Sequence, residues 1–218
     1  MVAGPPSASS SAYSRSVNVD RVRQAYSSVA ELYIGLFGSR DQVHPDDLAF
    51  IGRHLAGRPG AVLDLGCGPG HLTDHLCSLG VDATGLDMVP EFIDHARATH
   101  PGGRYQLGTI DTLDVADSSL SGLLAWYSLI HLPPPDLDGV LARLRRAVAP
   151  GGTLVIGFFD ADEVGAFDHK VVTAYRWPVD EFSARLARAG FTEVERLQRP
   201  GDGTHRPHAV IAATATSG

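Results

Sequence analysis

Lysine is nearly absent: it occurs once, at Lys170, against seventeen arginines. Cysteine is scarce too. Cys67 and Cys77 are the only two in 218 residues, too few for the disulfide framework of a small secreted scaffold. A reducing cytoplasm is the expected setting. No apolar run approaches the ~18 residues needed to cross a bilayer, so no membrane partner is expected. The start, MVAGPPSASSSA, lacks the basic head and apolar stretch of a signal peptide, and residues 1–15 are expected to form a disordered tail.

Basic clusters are missing as well. The formal charge is −7, and the densest basic group, Arg143, Arg145 and Arg146, sits on an otherwise amphipathic helical pattern. A nucleic-acid surface needs a basic stripe, so no nucleic-acid partner is expected. The lysine-poor, Ala-, Gly- and Pro-rich bias reads as coding bias and carries no functional argument. The length suits one domain with a full-sized core, taken as residues 16–218.

What is present is periodicity. Val17 to Gly35 reads as a helix with Val22, Ala25, Val29 and Leu32 on one face. His44-Pro45-Asp46-Asp47 opens a second helix that Gly57 stops. Apolar strands at Ala61–Leu65, Val81–Leu86, Arg104–Gly108, Leu120–Trp126 and Thr153–Phe159 then alternate with helices at His71–Leu79, Pro90–Thr99 and Asp136–Val148. Such alternation means βαβ units and a parallel sheet covered on both faces. A helix over Val179–Ala189 precedes strands Phe191–Leu197 and Ala209–Ala215, joined by a short Pro/Gly-rich turn with no crossover helix. Those two must be antiparallel neighbours. The expected fold is an α/β, Rossmann-like doubly wound sheet of seven strands, mostly parallel, with one antiparallel strand near the C-terminus.

The segment G-A-V-L-D-L-G-C-G-P-G, residues 60–70, places a glycine-rich loop directly after the first strand. Loops of this kind hold ligands at the carboxyl end of the sheet. The nicotinamide fingerprint G-x-G-x-x-G does not fit, because His71 stands where its third glycine belongs. No Gly-Lys-Ser/Thr follows, which excludes a Walker loop. A pyrophosphate is not the best-fitting ligand.

V-L-D-L-G-C-G-P-G resembles motif I of the class I S-adenosylmethionine-dependent methyltransferases. Three further landmarks follow in order: Asp87 in V-D-A-T-G-L-D-M-V-P, the stretch G-T-I-D-T-L, and A-P-G-G-T-L-V-I-G-F-F at residues 149–159. The resemblance covers about residues 20–215. It implies S-adenosylmethionine as cofactor. By the same resemblance Gly66 and Gly68 let the methionine part approach the backbone, with Cys67 between them as a small space-filler. Asp64 orients the ammonium, Asp87 accepts both ribose hydroxyls, and Met88 and Ile110 flank the adenine. Many relatives carry an acid after the glycine of G-T-I; here that position is Thr109, with Asp111 two residues on, so either serves as the adenine amino contact.

The acceptor side should come from the loop after strand four, the N-terminal helix and the insert after strand five. The strand-four segment A-W-Y-S-L-I-H-L-P-P-P is not the Asp/Asn-Pro-Pro-Tyr of nucleic-acid N-methyltransferases, and no acid ends the strand as catechol-type enzymes need. It resembles a Y-S-x-I-H-x-P-P pattern of small actinobacterial methyltransferases. His131 is the candidate general base, since neutral imidazole titrates near working pH, with packing against the following turn as the alternative. Tyr127 is the second catalytic candidate, lining the acceptor pocket, and Trp126 a cofactor-pocket candidate, with core filling as the alternative for both; strand neighbours alternate, so at least one faces the core. His169, Tyr175 and Trp177 in the insert are acceptor-binding candidates, with a surface loop as the alternative. Tyr26 and Tyr33, two turns apart, either roof the cofactor and acceptor or pack in the core.

His71 and His75 share a helix face at zinc-ligand spacing, but no third ligand accompanies them, and solvated helix histidines are the expectation, with no metal. The function expected is methyl transfer to a small-molecule acceptor, an oxygen first, in specialised metabolism, by a monomer or homodimer. The alternatives are a protein methyltransferase and a non-catalytic S-adenosylmethionine-binding partner.

Overall fold

The computed structural model describes residues 19–112 and 115–216. The tail expected over residues 1–15 lies outside the described residues. A helix over residues 19–28 (α1) is followed by α2 (Ala30–Phe37). One continuous helix was the expectation, but Val29 leaves helical geometry at φ −123°, ψ 14°. The break re-phases the apolar face. Val22 and Ala30 are buried, whereas Leu32, which an unbroken period would turn inward, is 64% exposed. Tyr33 and Ile34 pack inward with Phe92 instead. In α3 (Pro45–Leu55) the His44 side chain accepts the Asp46 N–H, and Asp46 and Asp47 sit at the positive end of the helix.

The strands are β1 (Ala61–Leu65), β2 (Asp82–Asp87), β3 (Arg104–Leu107), β4 (Leu120–Trp126), β5 (Val148–Asp160), β6 (Gly165–Phe167), β7 (Ala174–Trp177), β8 (Phe191–Arg199) and β9 (His208–Ala215). Between them run α4 (His71–Ser78), α5 (Pro90–Thr99), α6 (Pro134–Ala147) and α7 (Val179–Arg188). Seven strands form the main sheet in the order β3-β2-β1-β4-β5-β9-β8. Neighbours from β3 to β5 are parallel, and β9 runs antiparallel between β5 and β8. The central strands are apolar on both faces because helices cover both. Leu63, Leu65, Leu123 and Ala125 pack in the core of α6 and α7, while Val62, Leu124 and Val155 pack with α3 and α4. Alternation sends Trp126 to the second core and Tyr127 to the first. Strand order reverses at β1 and β4, where a crevice opens at the carboxyl edge of the sheet.

Two elements differ from expectation. β5 begins at Val148, and its ladder jumps from Leu120–Val148 to Gly122–Thr153, so the A-P-G-G segment bulges within the strand rather than turning before it. The insert after β5 is a short hairpin: β7 pairs parallel with the end of β5, and β6 antiparallel with β7. Its strands are too short for an alternating pattern to show. Among the described residues no helix is long and apolar enough to cross a membrane.

Candidate active site

The chain leaves β1 through a loop held against the end of β2. The Gly66 and Cys67 amides both donate to the Leu86 carbonyl, at 2.7 and 3.0 Å. Gly66 has φ 72°, and a Cβ there would come within 2.3 Å of Ser128 Cβ, so this glycine lets β1's loop pass the loop after β4. Gly68 has φ 52° and nothing within 4 Å of the place a Cβ would take. That is a backbone cradle open to a ligand. The Cys67 thiol is 3% exposed beside Gly85, and burial pushes it well up, leaving an unreactive space-filler.

Asp87 closes the cradle. Its Oδ2 accepts the Gly68 amide and its Oδ1 the Val89 amide, each at 2.9 Å. The Met88 amide also bonds this carboxylate. Burial outweighs these bonds and raises the carboxyl to about 6. Asp64, at the other side of the loop, accepts the Thr73 hydroxyl at 2.7 Å, yet burial raises it to about 7. The Ser128 hydroxyl is buried next to Gly66 with no partner among the described residues. Two buried carboxyls and an orphaned hydroxyl around an open cradle call for a ligand rich in hydroxyl and ammonium donors and carrying an acceptor.

Above Asp87, Met88, Tyr26 and Tyr33 form a half-buried roof against Ala30, Val89 and Phe92. The Tyr26 and Tyr33 rings meet edge-on, 5.4 Å apart. Burial, and then the Asp87 charge, pushes the Tyr33 phenol up to about 12; Tyr26 is pushed further by burial and by its neighbours Tyr33 and Asp87. Past β3, Thr109 Oγ1 accepts the Asp111 and Thr112 amides at 3.2 Å, closing a tight turn. Asp111 pairs with Arg143 of α6, and Ile110 lies half-buried against the main core. Both candidates for the adenine contact therefore already have protein partners.

On the acceptor side, β4 exits through Tyr127, which holds φ 54°. Left-handed backbone costs a residue with a side chain ~1 kcal/mol, and such positions gather at functional sites. Its ring meets Trp126 and Phe159 edge-on. His131 is 9% exposed, with Nδ1 at 2.8 Å from the Thr173 carbonyl and Nε2 at 2.9 Å from Tyr26 Oη. A carbonyl only accepts, so Nδ1 carries the proton and Nε2 receives the Tyr26 hydroxyl. Burial, opposed by the Thr173 bond, lowers His131 to about 4 and keeps it neutral. His169 lies 5.5 Å from it, flanked by Phe159 and Phe167, and its Nδ1 is buried without a hydrogen-bond partner among the described residues. Tyr175 donates its amide to the Ile130 carbonyl at 2.7 Å, seating the hairpin beside the β4 loop.

Trp177 stands apart, contrary to its placing among the acceptor residues. It is 2% exposed, edge-on to Phe182 with the Arg185 guanidinium over its ring, and belongs to the core under α7. His71 departs from the solvated histidine expected: burial, then His100, lowers it to about 4. Among the described residues no three His, Cys, Asp or Glu side chains converge on a metal-sized site. Sequence reasoning missed Ser128, Phe159, Phe167 and His208. No local spacing marks them, because their partners come from other strands.

A family described as a methyltransferase domain matches residues 62–152. Malonyl-acyl-carrier-protein O-methyltransferase of Erwinia billingiae is 31% identical over 204 residues, covering 94% of this chain and 75% of that protein. The chain spans about half of two further enzymes of the same name, 53% and 51%. The chain is a class I S-adenosylmethionine-dependent methyltransferase. Its fold is that of 1,6-didemethyltoxoflavin-N1-methyltransferase from Burkholderia thailandensis, solved with S-adenosylhomocysteine, at a TM-score of 0.74 and 24% identity over 99% of this chain and 94% of the other. The cyclase SpnF shares it too, at a TM-score of 0.72 and 15% identity over 90% and 96%. At these identities the likeness shows the fold alone.

The methyl donor of this methyltransferase is S-adenosylmethionine, and the residues present fit it. An open glycine cradle at Gly68, the buried Asp87 carboxylate at its edge and an orphaned Ser128 hydroxyl match a ligand with a ribose diol, an ammonium and a carboxylate.

Proposed function

We propose that this methyltransferase methylates an oxygen of a small, partly flat molecule of specialised metabolism. When bound, S-adenosylmethionine supplies a methyl group on a sulfonium whose sulfur keeps the electron pair of the broken bond. Gly68 admits its methionine part, Asp64 and Ser128 meet the amino-acid end, and Asp87 takes the ribose hydroxyls. Met88 and Ile110 flank the adenine, with Thr109 or Asp111 nearest its amino group. Tyr26 and Tyr33 roof the cleft, and Tyr127, His169, Phe159 and Tyr175 border the acceptor.

One observation carries the choice of oxygen. Neutral His131 already receives a hydrogen bond from a hydroxyl, that of Tyr26, at 2.9 Å. An acceptor hydroxyl taking the place of Tyr26 would meet an imidazole whose tautomer Thr173 has set, with its lone pair aimed outward. The Erwinia relative's name likewise specifies an oxygen acceptor. The compact hairpin and aromatic surroundings suit a small molecule better than a polypeptide.

The test is transfer of radiolabelled methyl from S-adenosylmethionine into an extract of the source cells. Label in the low-molecular-weight fraction, lowered about a hundredfold by His131→Ala, is expected. Label in protein overturns the small-molecule assignment. Turnover near wild type in His131→Ala removes the base.

A further inference from the structure

On the hairpin after β5, two cations stand beside His169 with no anion to meet them. The chain leaves β6 at Phe167 and runs through His169 and Lys170 before the Thr173 carbonyl reaches His131. The His169 ring lies 5.5 Å from that of His131 and packs among Phe159 and Phe167. Its Nδ1 is buried without a partner, whereas its Nε2 is neither buried nor bonded to a described residue. The Arg206 guanidinium sits over the Phe167 ring, 4.5 Å from its centroid. Arg206 belongs to the turn between β8 and β9, and that turn is pinned to the end of β5 where the Asp160 amide donates to the Pro207 carbonyl at 3.0 Å. Lys170, the one lysine of the chain, follows His169 directly.

The formal charge of the chain is −7, and elsewhere its arginines answer carboxylates. Arg143 meets Asp111, Arg185 meets Asp138, Arg196 meets Glu193 and Arg199 meets Asp47. Among the described residues Arg206 and Lys170 have no ion-pair or hydrogen-bond partner. The field at His169 is positive as a result. Its imidazole is lowered by burial first and then by Arg206 and Lys170, while Asp168 opposes them with the smallest effect. Lying over Phe167 orders the guanidinium and leaves its edge N–H groups free to donate. A planar fork of that kind meets a carboxylate through two parallel hydrogen bonds.

We propose, building on the reading of the acceptor site above, that Arg206, Lys170 and His169 form a carboxylate subsite, so that the acceptor is a small hydroxy acid. Arg206 takes the carboxylate with its fork, and Lys170 adds its charge. A carboxylate oxygen at His169 Nε2 selects the tautomer with the proton there, which then donates to it. The hydroxyl of the same molecule lies at His131 Nε2, and the 5.5 Å between the two imidazoles lets one small framework reach both. Phe159 and Phe167, edge-on at 5.1 Å, suit a flat framework between them. Two unlike ends held by two unlike subsites fix which way round the molecule lies. The hydroxyl oxygen therefore receives the methyl group, and the carboxylate leaves unmethylated, so the product keeps its negative charge.

The test is calorimetric titration of the full chain, saturated with S-adenosylhomocysteine, using benzoate and then benzamide, which has the same shape without the charge. Benzoate should bind about tenfold tighter or more, and Arg206→Ala should remove that preference. Lys170→Ala should lower benzoate affinity about threefold. Both side chains are exposed, so the variants keep their fold and should bind S-adenosylhomocysteine as the wild type does. Absent benzoate binding, or equal binding of the two probes, overturns the subsite. A preference that survives Arg206→Ala overturns its placing here. Failure of the wild type to bind S-adenosylhomocysteine is a different failure, that of the site reading on which the subsite rests. In the extract-labelling assay the small labelled product should be retained on an anion exchanger at pH 7. Label in an uncharged product overturns the hydroxy acid and leaves methylation of a small molecule standing.

Discussion

At the scale of one residue, Asp87 shows stability set against binding. Its folded value of about 6 lies above the 3.8 of an ordinary aspartate. The folded protein therefore holds this proton more tightly than the unfolded chain. Stability from this group is fully present below about pH 4 and is lost as pH rises through about 6. Wild-type stability should therefore fall by about 1–3 kcal/mol from this group between pH 4 and pH 8, a fall that Asp87→Asn lacks, while the variant, unable to accept both backbone amides, weakens S-adenosylmethionine more than tenfold. Urea unfolding at both pH values and calorimetric titration measure the two effects. The same change in stability from pH 4 to pH 8 in variant and wild type would mean the carboxylate carries no burial cost. Asp87 was legible in the sequence because an acid ending the second strand must stand at the mouth of the sheet. The partner of His131 was not legible. Tyr26 lies 105 residues away in the chain, and a hydroxyl reaching across that separation leaves no local pattern.

At the scale of elements, the loop after β1 separates two kinds of glycine. A methyl group on Gly66 collides with Ser128, whereas one on Gly68 enters open space. Gly66→Ala should cost about 3 kcal/mol of stability, part of which returns when Ser128→Gly removes the colliding atom. Gly68→Ala should cost only ~1 kcal/mol, for its left-handed backbone, yet weaken S-adenosylhomocysteine binding more than tenfold. Thermal unfolding and calorimetry on the three variants distinguish a packing glycine from a binding one; unchanged affinity in Gly68→Ala would move the ligand off the cradle. The strand and helix sequence was legible for a related reason. Buried parallel strands are unbroken apolar runs, and the amphipathic helices between them keep a clean period. The elements that escaped are those ruled by tertiary contact. The break at Val29 rotates the second half of the N-terminal helix so that Tyr33 meets Phe92 at 5.1 Å, and the β6–β7 hairpin forms only because the end of β5 and the Ile130 carbonyl offer it partners.

At the scale of the molecule, the reversed strand does more than extend the sheet. β9 enters between β5 and β8 and carries His208 to the carboxyl edge, while β8 delivers Arg199 to Asp47 on α3. This ion pair, across 152 residues, joins Arg53–Glu195 in tying the last hairpin to the third helix. Asp47 is almost wholly buried, so removing its partner strands a charge in the interior. Arg199→Ala should destabilise the protein by about 3 kcal/mol at pH 7. Burial raises the Asp47 carboxyl, but the hydrogen bonds and charge of Arg199, with His208 beside it, more than offset this and hold it below its ordinary value. A lowered folded value means its contribution is present above about pH 4 and lost as pH falls through the folded value. The gap between wild type and Arg199→Ala in denaturant unfolding should therefore narrow from pH 7 to pH 3, where Asp47 in the variant is neutral. A gap of unchanged width at pH 3 would assign the cost to lost packing of the arginine stem rather than to the stranded carboxylate.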